Sequence, residues 1–450
     1  MASRWLFRFT SFSILLRFTL IGCKQAEPQP PSDLTTEQQT VVAALDKSNY
    51  PIKDADPTRE FSDLAVLDTL LAKAQVVGIG ESTHGTHEFA QTKDRLFRYL
   101  VQTHHHQAIG IEASFGRTIL VNRFIHGESS SFTDAAVAAK SLNSWPLSTT
   151  EVAQWLQWMR EYNTGKSSTQ QISVYGLDCP EATDEFPLIR EFIAKVDPGS
   201  LAKIDSIATL FNLTIGANSP LPAQQYSQKL PELYNLFVSN ETNWTSASGS
   251  PAYEVAKQAA RVLIQQQNLA SISDLCQKSA KRDGYLAENA QWLLTKLKVS
   301  KLSLWAHSTH IGDLPTVNCG QPTMGSYLKQ QLKDQYVTIG TSLANGRFTG
   351  RNSALAATPL SVLSVSGAAT PRSYNYLLGR SQSANFILNL HRFDAGSSLG
   401  SWLSTPYSFF LAGAGYDERK PDQAYYSIGL STGFDVLIHF RDTSPTQLLP

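Results

Sequence analysis

Short apolar runs alternate with helically spaced stripes along most of the chain, and that rhythm predicts its elements. Glu37 to Leu45 and Phe61 to Ala74 read as short helices leading into a strand at Val76, Val77 and Ile79, a run closed by Gly78 and Gly80. Phe89, Leu96, Phe97, Leu100 and Val101 then recur with the spacing of one helix face. Ala108 to Ile111, Ile172 to Leu177, Ser303 to Ala306, Tyr336 to Thr341 and Phe386 to Leu390 read as further strands, and Phe434 to Phe440 as a late or edge strand. Val152, Trp155, Leu156, Met159 and Tyr162 make a helical stripe between them, as does Met324 to Leu332 later on. The alternation predicts an α/β fold with a mainly parallel central sheet and helices on both faces.

The rhythm changes from about Glu185 to Asp283, where helical stripes (Ile204, Ile207, Leu210 and Phe211; Val255, Ala259, Val262 and Leu263) have few strand signals between them. Asn240 to Pro251, rich in Ser, Asn and Thr, reads as a loop. The region is expected to be a helical insertion that caps or walls a site. No internal repeat or heptad pattern is evident.

Four apolar runs end in ionisable residues: Glu81 with His84, then Glu112, Asp178 and His307. In a parallel sheet those ends lie on one edge, where open α/β sheets bind ligands. One such coincidence is cheap; four are not. Each residue also has a structural reading. Glu81 and His84 would make a hydrogen-bonded pair, Glu112 a salt bridge to Arg117 or a helix start, and His307 with His310 buried core histidines. Asp178, before Cys179-Pro180, would cap a turn, and Arg282 with Asp283 would anchor the insertion. His87 is expected to open a helix, and His104-His105-His106 to be a solvated helix cap.

Composition narrows the class. The 450 residues allow up to about three average domains. Lys and Arg number 38 against 38 Asp and Glu, which argues against a nucleic-acid surface, since phosphate binding needs clustered cations. Arg4 and Arg8 precede a mostly apolar Phe9 to Ile21, too short for a spanning helix of roughly 20 residues. Its end, Leu20-Ile21-Gly22-Cys23, resembles the lipobox of bacterial lipoproteins, although Arg17 departs from that pattern. The resemblance implies residues 1–22 as a signal peptide, an acylated Cys23 as lipid anchor, and residues 23–36 as a tether; a plain secretory signal is the alternative. Residues 37–450 form the α/β domain. The cleaved chain would hold 35 basic and 38 acidic residues. With Cys23 lipidated, Cys179, Cys276 and Cys319 remain, and Cys276 with Cys319 is the expected bridge in an oxidising compartment. No C-x-x-C motif appears.

Seven motifs in register resemble the erythromycin esterase family. They are Gly80-Glu81-Ser82-Thr83-His84-Gly85-Thr86-His87-Glu88-Phe89, Gly110-Ile111-Glu112-Ala113, the Asn122 to Gly127 run, and Trp158 to Asn163. Tyr175-Gly176-Leu177-Asp178, Arg282 to Asn289, and Trp305-Ala306-His307-Ser308-Thr309-His310-Ile311 complete the set. The resemblance runs over roughly residues 60 to 345, with a weaker echo near Phe434 to Pro445. It implies a mixed α/β fold and hydrolysis of an ester, in the named members the macrolactone of macrolides. It further implies that His84 activates water without an acyl-enzyme, and that Glu81, Glu112 and His307 complete the catalytic set. His310, Lys93, Asp178 and Arg282 would contact substrate. Ser308 and Leu286 stand where the family is expected to carry Asn and Met.

The residue types suit that chemistry. Ester hydrolysis needs a base near neutrality, and histidine, with an ordinary pKa of about 6.5, is one. A carboxylate beside it favours the imidazolium that forms. Donors for the oxyanion would come from His307, His310, Lys93, or free amides at the helix start after Gly85. No cofactor is expected. The alternative keeps the fold but lets Glu81, His84, Glu112, His307 and His310 hold a divalent metal. A third reading is a non-catalytic lipoprotein binding a small molecule. Gly396-Ser397-Ser398-Leu399-Gly400 fits G-x-S-x-G, yet His391 to Ala395 separate it from its strand, unlike a nucleophile elbow. Gly78-Ile79-Gly80 lacks the third glycine of a dinucleotide fingerprint. The expected partner is a small-molecule ester, with membrane contact only through Cys23. An exported enzyme would meet an antibiotic early, or process an envelope metabolite or polysaccharide ester.

Overall fold

The computed structural model describes residues 33–128, 131–180, 184–214, 228–367, 370–413 and 415–450. The expected signal peptide, Cys23 and most of the tether lie outside the described residues. Asp33 to Thr36, the last of the tether, are docked: Asp33 accepts from Tyr376 and Arg380, Leu34 is buried, and Thr35 caps the helix Thr36–Ser48.

The strands are β1 (Tyr50–Pro51), β2 (Val76–Ile79), β3 (Ala108–Ser114), β4 (Ser173–Asp178), β5 (Leu302–Trp305) and β6 (Tyr336–Arg351), then β7 (Leu360–Ser366), β8 (Asn385–Asn389), β9 (Tyr407–Phe410), β10 (Tyr425–Ile428) and β11 (Val436–Thr443). One sheet runs in the order β1-β8-β11-β6-β2-β5-β3-β4, with β7 paired to the far end of β6. From β11 to β4 every pairing is parallel; β8, β1 and β7 join antiparallel. β2 and β5 are buried along their whole length because helices cover both faces, so their sequences are apolar runs without alternation. The fold class read from the sequence is the fold observed.

Two elements differ from expectation. Phe434 to Phe440 is not an edge: β11 lies inside the sheet, between β6 and β8. Asn240 to Pro251 is not a loop but the helix Glu241–Ser248 and the first turn of Ser250–Ala270, broken only at Gly249, whose φ is +82°. Polar composition there yields to packing. Trp244 is buried with its ring 5.1 Å from Phe237 and 5.9 Å from Phe192, and one apolar anchor holds a helix that propensity alone would not.

Among the described residues, six α-helices run between Glu185 and Thr295. The last, Leu275–Thr295, is tied to the sheet by Asn289, whose amide donates to Leu177 O at 2.7 Å. A Cys276–Cys319 disulfide, the expected pairing, joins that helix to the segment following β5; Cys179 is free and buried. The bond closes 43 residues. Replacing both cysteines with serine is expected to lower the unfolding free energy by roughly 2–4 kcal/mol, read by urea denaturation. A change indistinguishable from zero would mean the bridge constrains nothing.

Candidate active site

Register places the strand ends side by side. Trp305 pairs with Ile79 on one side and Ile111 on the other, and Ile111 pairs with Gly176. Glu81, His307, Glu112 and Asp178 therefore emerge on one edge. Between Ile111 and Ser114 the β3 register shifts, the irregularity that re-aims side chains beside active sites. Only glycine fits opposite it: a Cβ on Gly176 would stand 2.3 Å from Ser114 O.

The β2 end prepares His84. Its Nδ1 lies 2.8 Å from Glu81 Oε1, and Lys93 Nζ lies 2.8 Å from Glu81 Oε2. A carboxylate can only accept, so Nδ1 bears a proton, and in the uncharged form of the ring Nε2 keeps the lone pair. That nitrogen has no hydrogen-bond partner among the described residues. The ring lines a cavity of about 550 Å³, bounded also by Leu142, Trp145, Pro146 and Leu147. Lys93 is fully buried, donates to Ala306 O as well, and lies over the Trp305 ring. Burial pulls its pKa down to about 8, and Glu81 offsets only part of that.

Glu112 is the hub of a second group. Its Oε2 accepts the His307 amide at 3.0 Å, and its Oε1 lies 2.8 Å from Arg282 Nη2 and 3.4 Å from His310 Nε2. Arg282 also binds Asp178, with Nε 3.0 Å from Oδ1, and His310 Nδ1 lies 2.8 Å from Asp283 Oδ1. Burial opposes every charge here, and pairing outweighs it. His310 and Arg282 hold Glu112 well below the usual carboxylate range, and Asp178 and Glu112 hold Arg282 well above its own. Asp283 and Glu112 lift His310 to about 10. The His310 ring is thus an imidazolium, and its 3.2 Å approach to Arg282 Nη1 is a contact between two donors rather than a hydrogen bond.

His307 is the opposite case. Burial, then the neighbouring His84, push its pKa well below the ordinary value, so the ring is neutral. Nδ1 accepts from the Thr309 amide at 3.3 Å and meets Thr309 Oγ1 at 2.8 Å, which leaves the proton on Nε2. Nε2 is buried with no partner among the described residues. The ring centroid is 4.9 Å from that of His84 and borders a second cavity of about 340 Å³. The pair therefore offers a lone pair on His84 and a donor on His307.

The sequence places Lys93 against substrate, but the structure buries it behind Glu81, where it acts through that carboxylate. Arg117 does not pair with Glu112; its partner is Asp184. At the helix start after Gly85, the His87 N–H donates to Ser444 O and is not free, and His87 Nδ1 meets Glu151. The solvated His cap is also corrected. His104 is buried on Asp68 and His106 on Ser303, and only His105, in a left-handed turn, is exposed. Of the five residues weighed for a divalent ion, Glu112 is paired with Arg282, His310 with Asp283, and Glu81 with His84 and Lys93. Gly396 to Gly400 is a helix start capped by Ser397. Trp145, Thr309 and the second cavity's C-terminal lining escaped the sequence reading, because nothing local marks them.

A family model described as Erythromycin esterase matches residues 101–443, a stretch that begins after the His84 loop. Erythromycin esterase type II of Escherichia coli is 22% identical over 331 residues, 66% of this chain and 76% of the relative. Among solved structures, a Bacillus cereus protein matches with a TM-score of 0.81 at 24% identity, over 92% of this chain and 99% of that one. A mutant of the erythromycin esterase EreC in its open conformation matches at 0.64 and 16% identity, over 86% of this chain and 96% of its own. At these identities the structural likeness speaks for the fold.

The His310 pairing has a signed pH signature. Its folded pKa, about 10, lies above the ordinary 6.5, so its contribution to stability is complete below pH 6.5 and disappears as pH rises through about 10. The difference in unfolding free energy between the wild type and His310→Gln is expected to shrink over that window in denaturant titrations. A constant difference would show an uncharged ring.

Proposed function

The chain belongs to the erythromycin esterase family, and we propose that it hydrolyses a carboxylic ester by histidine-activated water, without an acyl-enzyme. The family points to a hydrolase of this type. The observation that carries the finer reading is the pair of imidazoles 4.9 Å apart, His84 with Nδ1 on the Glu81 carboxylate and His307 with Nδ1 on Thr309.

His84 Nε2 takes a proton from water as the oxygen attacks the ester carbonyl. Glu81, anchored by Lys93, stabilises the imidazolium that forms. The His307 Nε2–H donates to the oxyanion; as a neutral ring, it donates without repelling the charge gathering on His84. When the tetrahedral intermediate collapses, the carbon–oxygen bond to the leaving alcohol breaks and His84 returns the proton to that oxygen. Arg282, His310, Asp178 and Glu112 hold the crevice wall and its charge, with Arg282 facing substrate. The Escherichia coli relative's name makes a macrolide macrolactone one candidate ester.

The reading includes export, with residues 1–22 as signal and Cys23 as lipid anchor. Its support is the Arg4 and Arg8 start, the Leu20 to Cys23 sequence, and a disulfide suited to an oxidising compartment. Among the described residues no helix is long and apolar enough to cross a membrane.

Mass spectrometry of a panel of macrolides and simple esters is expected to show a product heavier by one water, undiminished by chelator. His84→Ala is expected to lose about 10²–10⁴-fold in rate while keeping its fold by circular dichroism. His307→Phe should lose about 10²–10³-fold, and Glu112→Gln should abolish turnover. A folded, fully active His84→Ala variant would falsify the assignment of the base.

A further inference from the structure

The cavity beyond His307 is not used by the chemistry above. Its lining is mostly polar, whereas the His84 cavity faces its charged groups with an apolar wall. Asn318, Ser353, Asp417, Lys420, Gln423 and Tyr426 border it, drawn from the segment after β5, the loop after β6 and the stretch between β9 and β10. By contrast, Leu142, Trp145, Pro146 and Leu147 line the other.

Two buried polar atoms on this cavity lack partners among the described residues. One is His307 Nε2, a donor. The other is Asn318 Oδ1, an acceptor: the amide orientation is fixed because Nδ2 donates to Pro322 O at 2.9 Å. Buried polar groups are rarely left unpaired, and an unmet one costs about 1–3 kcal/mol. A ligand meeting both must present an acceptor to His307 and a donor to Asn318, which an ester carbonyl and a hydroxyl supply. At the mouth, the Lys420 side chain is exposed with no ion pair among the described residues, and Gln423 adds an amide.

We infer that this cavity is a subsite for a polyhydroxylated, sugar-like alcohol limb of the substrate. The ester carbonyl lies at the His84–His307 pair and the apolar acyl limb lies under Trp145. The inference rests on the ester-hydrolase reading and adds the substrate class. A site built to hydrogen-bond hydroxyls rejects the analogue lacking them, because its own groups are then left unpaired.

Two esters of the same acid test it: the hexanoate of the glucose primary hydroxyl, and cyclohexylmethyl hexanoate. The wild type is expected to prefer the sugar ester in kcat/KM by at least about tenfold. That preference should fall severalfold in Lys420→Ala, whose exposed position does not bear on folding, and further in Asn318→Leu. A wild-type ratio near one, or a ratio unmoved by both variants, overturns the subsite. If neither ester is turned over, the hydrolase reading is left to the macrolide and ester panel, and calorimetry with methyl glucoside on the His84→Ala variant decides the subsite. Saturable binding weakened by adding Lys420→Ala sustains it, and absence of binding ends it.

Discussion

Glu112 is a carboxylate at the end of an interior strand, with little access to water, and the crevice is arranged around keeping it charged. An ion buried without a partner would cost several kcal/mol, so its partners are not optional. Arg282 arrives from the helix Leu275–Thr295, His310 from the turn after β5, and the His307 amide from the β5 end itself. One carboxylate thus fixes two strand ends and a helix of the covering region. The same network consumes Arg282 and His310 as cations, so neither is a free acid or base.

What remains free is decided by second partners. Glu81 selects the His84 tautomer and Lys93 neutralises Glu81, while Thr309 selects the opposite tautomer in His307. Two chemically identical side chains less than 5 Å apart, centroid to centroid, are set in opposite tautomers by their neighbours alone. Packing reinforces this: a Cβ on Gly80 would stand 2.6 Å from Ser308 Oγ, so the β2 and β5 loops touch only because Gly80 has none.

The His84 loop is also clamped from the far end of the chain. Thr446 N donates to Gly85 O, Ser444 N–H and Oγ reach the Glu88 carboxylate, and the Gln447 amide meets Glu151, which holds His87. Residues distant in sequence thereby make the loop rigid. In the proposed hydrolysis this matters because a proton transfer needs its base held within hydrogen-bond reach of water.

Sequence by itself determined the sheet and the edge on which the chemistry lies. Parallel strands buried on both faces must be apolar runs, and an ionisable residue ending such a run marks the edge, so Glu81, His84, Glu112, Asp178 and His307 were legible. Composition misled where a single buried ring, Trp244, outweighs eight polar neighbours, and no local pattern marks β11 as interior, since strand order follows from helices packing rather than from the strand's own residues. Tertiary structure alone decided protonation and access. It drew Lys93 out of the crevice, made His310 a cation and His307 neutral, and brought Asn318, Ser353 and Lys420 to one cavity. Tautomers and charge states follow from burial and from partners far apart in the chain, and these exist only once the chain has folded.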